Sequence, residues 1–154
     1  PFGSLLSSLV DFLIAFVIFV ILLIYYAVMP TYHIVYLPLF ILLLFFTTAS
    51  LSLWFSALNV AYRDVKIMIP FILRVGLYIS PVGFLSTNIP EKYQLLYSLN
   101  PLVGILDGFR WCLLGGTIVP NWEGLLYSSI LVVFLFFSGL AYFAKTEKSF
   151  ADII

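Results

Sequence analysis

Charged side chains are absent from the chain over long intervals. From Phe12 to Tyr62 there is no Asp, Glu, Lys or Arg, a run of 51 residues in which His33 is the one group expected to ionise near neutrality. A spanning helix takes about 20 apolar residues at about 1.5 Å of rise each, so this run is two spans, not one. The break falls at Met29–His33, MPTYH, where a proline and polar side chains interrupt the apolar pattern. The first span then covers residues 9–29 and the second 34–58, joined tightly enough to form an antiparallel hairpin. A polar interval follows, Asn59–Lys66, NVAYRDVK. The third span is 67–85; it holds Pro70, Arg74 and Pro81, so it is expected to be kinked or broken. The fourth is 124–144, uncharged from Gly124 to Ala144, followed by a short polar tail, 145–154.

The segment 86–122 is too apolar for an ordinary water-exposed loop. IPEKYQLLYSL reads as one short helix with Pro90 near its first turn, and NPLVGILDGFRWCLLGG as a second. Asn100 suits the cap, Pro101 the first helical position, and Gly115–Gly116 the end. Fourteen residues of helix reach about 21 Å, short of the roughly 30 Å of hydrocarbon. Helical spacing puts Leu102, Ile105, Leu106, Phe109 and Leu113 on one face and Asp107 with Arg110 on another. A pair of short helices dipping into the membrane or lying on its surface is expected. Irregular backbone at that depth needs protein or a water-lined cavity beside it, which hints at a pore mouth.

Composition fixes the class. Hydrophobic residues make up 64% and charged residues 9%, with a mean hydropathy of +1.18. Soluble domains hold about 45–50% apolar residues, and disorder needs low hydrophobicity, so the chain is an all-α polytopic integral membrane protein with four spans and a short helix pair. Seven basic residues balance seven acidic ones, too few to build a nucleic-acid surface. One cysteine, Cys112, forms no internal disulfide and no multi-cysteine metal site; it is expected on the outer side. No signal-peptide pattern precedes the first apolar run, and a chain beginning at Pro1 looks like a processed form or a fragment. With the amino end inside, Arg63, Lys66, Lys145 and Lys148 lie inside and Lys92 and Arg110 outside, four against two. Arg74 is placed to snorkel toward the inner side. No GxxxxGK[ST], HExxH, GxSxG or Cys/His cluster occurs. No catalytic residue, no metal site and no cofactor bound by this chain is therefore expected.

Several groups carry two readings. His33 reads first as an interfacial residue of the outer turn. The interval around Asn59, Tyr62, Arg63, Asp64 and Lys66 is either an ordinary basic inside loop or a docking element for a cytoplasmic partner. Asp107 and Arg110 either pair on a helix face or sit at the outer vestibule of a conduit. Tyr25, Tyr26, Tyr32, Tyr36, Trp111, Trp122 and Tyr127 fit an interfacial aromatic belt. Tyr78, Phe84, Tyr93 and Tyr97 line the broken span and the re-entrant segment, where aromatic faces offer a sliding surface for sugar rings.

Three strings, LSSLVDFLIAF at 6–16, SALNVAYRDVKIMIPFILRVGLYISPV at 56–82 and LNPLVGILDGFRWCLLGG at 99–116, resemble in order and spacing the carboxy-terminal two-thirds of type-2 ABC exporter permeases. The resemblance is to the subgroup exporting polysaccharides such as O antigen, or teichoic acids. The match is good at Asn59, Arg63, Asp64, Asn100, Pro101, Gly104, Gly108, Arg110 and Trp111; it departs at Asp107, where Glu is commoner, and at Ala61, where a basic residue is often found. The resemblance implies six spans, of which the last four are here, without the first two or the amphipathic helix before them. It implies a permease homodimer in the bacterial inner membrane, with ATP and Mg held by a separate cytoplasmic ABC ATPase. The 59–66 loop would contact that ATPase. Residues 88–116 would be periplasmic gate helices, with Asn100, Pro101, Gly104, Asp107, Gly108, Arg110 and Trp111 as gate residues. A lipid-pyrophosphate-linked polysaccharide would pass along an aromatic-lined channel. The rival readings are a permease of the same type exporting drugs or lipids, a membrane-embedded lipid-linked sugar transferase, and a non-transporting scaffold.

Overall fold

A computed structural model describes residues 2–29, 31–62, 64–116 and 118–151, giving the backbone alone at 2, 4, 5 and 147–151. The described residues form helices and turns with no strand. The first helix, α1 (Phe2–Tyr25), ends four residues before the predicted limit of its span. Val28 N–H donates to Leu23 C=O at 3.0 Å and Ala27 N–H to Ile24 C=O at 3.1 Å. That is the six-to-one and five-to-two pairing of a Schellman terminus. Val28 packs with Leu23 in the same apolar cluster, as this terminus favours. Its left-handed position is held by Ala27, with φ of 53°, where glycine is usual.

A 3-10 turn, Tyr32–Tyr36, leads into α2 (Leu37–Ala61). The last helix, α6 (Trp122–Ala151), runs parallel to α2. Phe46 meets Phe136 at 5.4 Å, and Trp54 stacks on Tyr142 at 5.3 Å. Small residues let the two backbones approach, as membrane helices require in place of a hydrophobic drive. Thr47, Ser50, Leu53 and Ala57 of α2 are buried, as are Ser128 and Val132 of α6. A Cβ added at Gly139 would lie 2.9 Å from Trp54. The Trp54 indole donates to the Leu135 carbonyl at 3.0 Å. Hydroxyls on these helices bond back to their own backbone, among them Thr47 to Leu43 C=O at 2.8 Å and Ser129 to Leu125 C=O at 2.6 Å. The part of the predicted tail that is described continues α6 as helix to Ala151 rather than leaving it; residues 152–154 and the Lys148 side chain lie outside the described residues.

The third predicted span needs correcting. Helix α3 covers Val65–Ile79, 15 residues, or about 22 Å. Three stretches among the described residues are long and apolar enough to cross a membrane: Leu6–Tyr25, Tyr32–Ala61 and Trp122–Thr146; α3 is shorter than these. Pro70 lies inside it, but Pro81 lies beyond its end, in a turn, so Pro81 cannot bend the helix. No described residue of α3 is buried, whereas Ser80 and Pro81, just past it, are almost fully enclosed. Helices α4 (Glu91–Ser98) and α5 (Pro101–Leu113) form the expected short pair. They pack beside the first turns of α2 and α6, at the end of the bundle opposite the α2–α3 turn.

Replacing Ala27 by Gly relieves a left-handed alanine, a strain of about 1 kcal/mol. The Ala27→Gly protein is expected to unfold at a higher temperature in detergent; an unchanged or lower midpoint would show that the terminus is not held in this conformation.

Candidate functional site

Helix α5 is set by local chemistry. Asn100 accepts a hydrogen bond from Leu102 N–H at 3.1 Å, Pro101 occupies the first turn, and Gly115 and Gly116 leave the helix with φ of 77° and 76°. Gly104 and Gly108 make it a wedge. A Cβ on Gly104 would lie 2.6 Å from Leu125 of α6, and one on Gly108 would overlap the Phe40 ring of α2. These two glycines let α5 sit between the two long helices.

The buried face cuts across the two faces that helical spacing marks. Val103, Gly104, Ile105, Asp107, Gly108, Cys112 and Leu113 are buried, while Leu102, Leu106 and Phe109 are half-buried. Glycine has no apolar side chain, so a count of large apolar residues misses the face on which helices come closest. Asp107, one of the two expected on a separate polar face, is 3% exposed. A carboxylate so enclosed needs a partner. Arg110 supplies it, Nη1 donating to Asp107 Oδ1 at 3.1 Å.

The other arm of Arg110 reaches out of the helix. Its Nη2 donates to the Pro81 carbonyl and, at 3.5 Å, to the Val82 carbonyl. At the opposite end of α5, Asn100 Nδ2 donates to Ser80 Oγ at 3.1 Å. The turn that follows α3 is therefore tied to both ends of α5. Sequence spacing indicated the pairing of Asp107 with Arg110 but not this long-range tie, because backbone carbonyls carry no sequence signal.

The four aromatics singled out as a sliding surface are not brought together as one set. Phe84 and Tyr97 adjoin, with ring centroids 6.3 Å apart. Tyr93 lies beneath the Lys92 ammonium at 5.8 Å, and Tyr78 is 78% exposed on α3. The Tyr97 phenol oxygen is enclosed without a hydrogen-bond partner. Burial first, and then the Asp107 carboxylate, push the phenol pKa up against an opposing pull from Arg110, so the phenol keeps its proton.

Two further aromatic groupings stand out. Phe12, Phe16 and Phe19 of α1 face Leu106, Phe109 and Leu113 of α5 across a groove of about 620 Å³. Their spacing of four and three along α1 is a signal that could have been read from the sequence. Trp111 meets His33 at 4.1 Å, Tyr36 at 5.6 Å and Trp122 at 5.3 Å. Of the predicted belt, Tyr36 and Trp122 thus meet Trp111 on α5, with His33 packed among them, while Tyr25, Tyr26 and Tyr127 stay exposed.

At the far end, most of the expected loop 59–66 that is described is helical. Asn59 and Ala61 lie in the last turn of α2 and Lys66 in the first turn of α3. Tyr62 N–H donates to Leu58 C=O at 2.7 Å and Val65 N–H to Tyr62 C=O at 3.2 Å. Tyr62, Asp64 and Lys66 are exposed; Arg63 lies outside the described residues.

Residues 2–114 match the family model of the ABC-2 type transporter. Among curated proteins, the chain is 26% identical over 155 residues to the O-antigen export system permease protein RfbA of Klebsiella pneumoniae, covering all of this chain and 59% of that protein. A second Klebsiella pneumoniae protein of that name is 28% identical over 70% of this chain and 40% of its own length. The Myxococcus xanthus protein of that name is 23% identical over all of this chain and 60% of its own length. The chain thus spans at most about three-fifths of the curated relatives it matches.

Removing one partner of a buried pair costs about 3 kcal/mol, because the other charge is left without compensation. Asp107→Ala is expected to lower the unfolding midpoint more than Asp107→Asn, and Asp107→Asn with Arg110→Gln to recover part of the loss. A double variant no more stable than Asp107→Asn alone would contradict the pairing. Cys112 is fully buried and burial pushes its thiol pKa up. At neutral pH an impermeant maleimide is therefore expected to label it far more slowly than an exposed thiol, and the rate to rise with pH; fast labelling would contradict the packing of α5.

Proposed function

The chain belongs to the ABC-2 type transporter family, and on that premise we propose that it is the main part of a permease subunit that exports a lipid-linked polysaccharide across the bacterial inner membrane. A separate cytoplasmic ATPase drives it, and a second copy of the permease completes the conduit. The names of its relatives, O-antigen export system permeases, favour a polysaccharide over a drug or a simple lipid as cargo.

One observation supports the mechanism most directly: the two ends of α3 meet the two regions that must communicate. Its first turn follows the exposed residues Tyr62 and Asp64. Its last residue leads into the turn held by Arg110 and Asn100. Between these ends no described residue of α3 is buried, so the helix is free to shift as a rod. In this reading, closure of the ATPase pushes on Asn59, Tyr62, Arg63, Asp64 and Lys66. The displacement travels along α3 and reaches α5 through the Ser80–Val82 turn. Helices α4 and α5, acting as a periplasmic gate, then open beside the bundle. Pro70 removes one backbone hydrogen bond from α3 and gives it limited bend.

The test uses the full-length permease with its ATPase in proteoliposomes. Charge reversal at Asp64, or at Arg63, is expected to lower polymer export about tenfold, the scale of a lost coupling of about 1–3 kcal/mol, while membrane insertion is unchanged. Ser80→Ala with Arg110→Gln is expected to lower export while the ATPase still co-purifies. Export and ATPase association that both survive the reversals would overturn the docking role.

A further inference from the structure

Between α4, α5 and the start of α6 lies a recess of about 220 Å³ that the mechanism above does not use. Its wall differs from the apolar groove beside α1. Ser86, Thr87, Gln94 and Asn121 contribute hydroxyls and amides, Tyr97 an aromatic ring, and Asp107 a carboxylate. The polar groups are only partly used by the protein itself. Asn121 Oδ1 caps α6 by accepting from Gly124 N–H at 3.1 Å, which leaves its amide N–H groups as donors. The Gln94 amide makes one long contact, 3.4 Å, to Ile89 C=O. The Tyr97 phenol makes no hydrogen bond within the protein, and its ring forms part of the wall.

Charge narrows the ligand. Asp107 is already neutralised by Arg110 at 3.1 Å, so the recess offers no net charge to a cation or an anion. No cluster of three or more potential metal ligands exists among the described residues. The wall sets hydroxyls and amides among a larger apolar share from Val103, Val119 and Leu125, which suits a ligand with both kinds of surface better than an acyl chain. What remains is a neutral, compact molecule bearing many hydroxyls, with an apolar C–H face for the Tyr97 ring. The volume corresponds to about seven waters at roughly 30 Å³ each, enough for one six-membered sugar ring.

We propose that this recess is a subsite for a single neutral pyranose ring, a unit of the exported polymer held at the gate. The inference rests on the export reading for its ligand, and it adds a place where the polymer would pause beside Asp107 and Arg110, the pair that fixes the gate.

Val119 lines the recess and is 61% exposed, so a cysteine there reports occupancy with little disturbance. The full-length permease–ATPase complex carrying Val119→Cys, with every other cysteine replaced by Ser, is treated with an impermeant maleimide. Methyl α-D-glucopyranoside or methyl α-D-mannopyranoside is added at about 100 mM, with mannitol as an acyclic control. At least one pyranoside is expected to slow labelling about twofold, the effect of a half-filled site, and mannitol is not. Ser86→Ala with Thr87→Val is expected to abolish the protection. No protection by either pyranoside, equal protection by mannitol, or protection that persists in the double variant would overturn the subsite. Polymer export is measured on the same preparation. Intact export without protection removes the subsite and leaves the export reading standing. Protection in a complex that exports no polymer removes the export reading and leaves the subsite as a sugar site.

Discussion

The guanidinium of Arg110 is the point on which the arrangement turns. It lies between a buried carboxylate one helical turn away and two backbone carbonyls nearly thirty residues upstream. A planar group with five donors in fixed directions can serve both partners at once, where a lysine ammonium would present a single point of charge. The carbonyl of Pro81 needs a donor because Pro81 is enclosed, and buried carbonyls are rarely left unpaired; that of Val82, at an exposed position, takes a longer contact of 3.5 Å. Asp107 needs a cation because it is enclosed too. Each of these needs is met by the same side chain, so the turn after α3 and the body of α5 are fixed by one group.

That tie has meaning only because α5 is close to its neighbours and α3 is not. Gly104 and Gly108 bring α5 against Leu125 and Phe40 without an intervening side chain, which anchors it to the two long helices. Helix α3 buries none of its described residues and reaches the rest of the chain chiefly through its ends. Exposed apolar surface on α3, including Ile67, Phe71 and Leu73, is compatible with a lipid surrounding.

The sequence made the long apolar helices and the short pair legible, since charge-free runs and hydrophobic length follow directly from the thickness of the membrane. Asn100, Pro101 and Gly115–Gly116 marked the limits of α5 because cap chemistry is local. Two features were read differently. The first helix stops at Tyr25 because a Schellman terminus formed on an alanine, for which the sequence carries no warning. The third span became a 15-residue helix because Ser80 took an extended conformation ahead of a turn that packing, not composition, holds in place. The buried face of α5 combines Gly104 and Gly108 with Val103, Ile105, Cys112 and Leu113, and the glycines in it carry no apolar signal. In the candidate site, the Asp107–Arg110 pair was visible at a spacing of three, whereas the ties to Ser80, Pro81 and Val82 and the recess at Asn121 join distant parts of the chain. Of the four aromatics at 78–97, only Phe84 and Tyr97 adjoin, since the turn at 80–85 separates Tyr78 from the others.

The hydroxyls of the long helices bear on biogenesis. Thr47, Thr48, Ser128, Ser129 and Thr146 each donate to a carbonyl of their own helix three or four residues back. A nascent segment leaving the translocation machinery therefore carries these groups already satisfied, at little cost of transfer into hydrocarbon. Each long helix can enter the bilayer singly, before it has met its neighbours, and the joining of α2 to α6 becomes a later, lateral event.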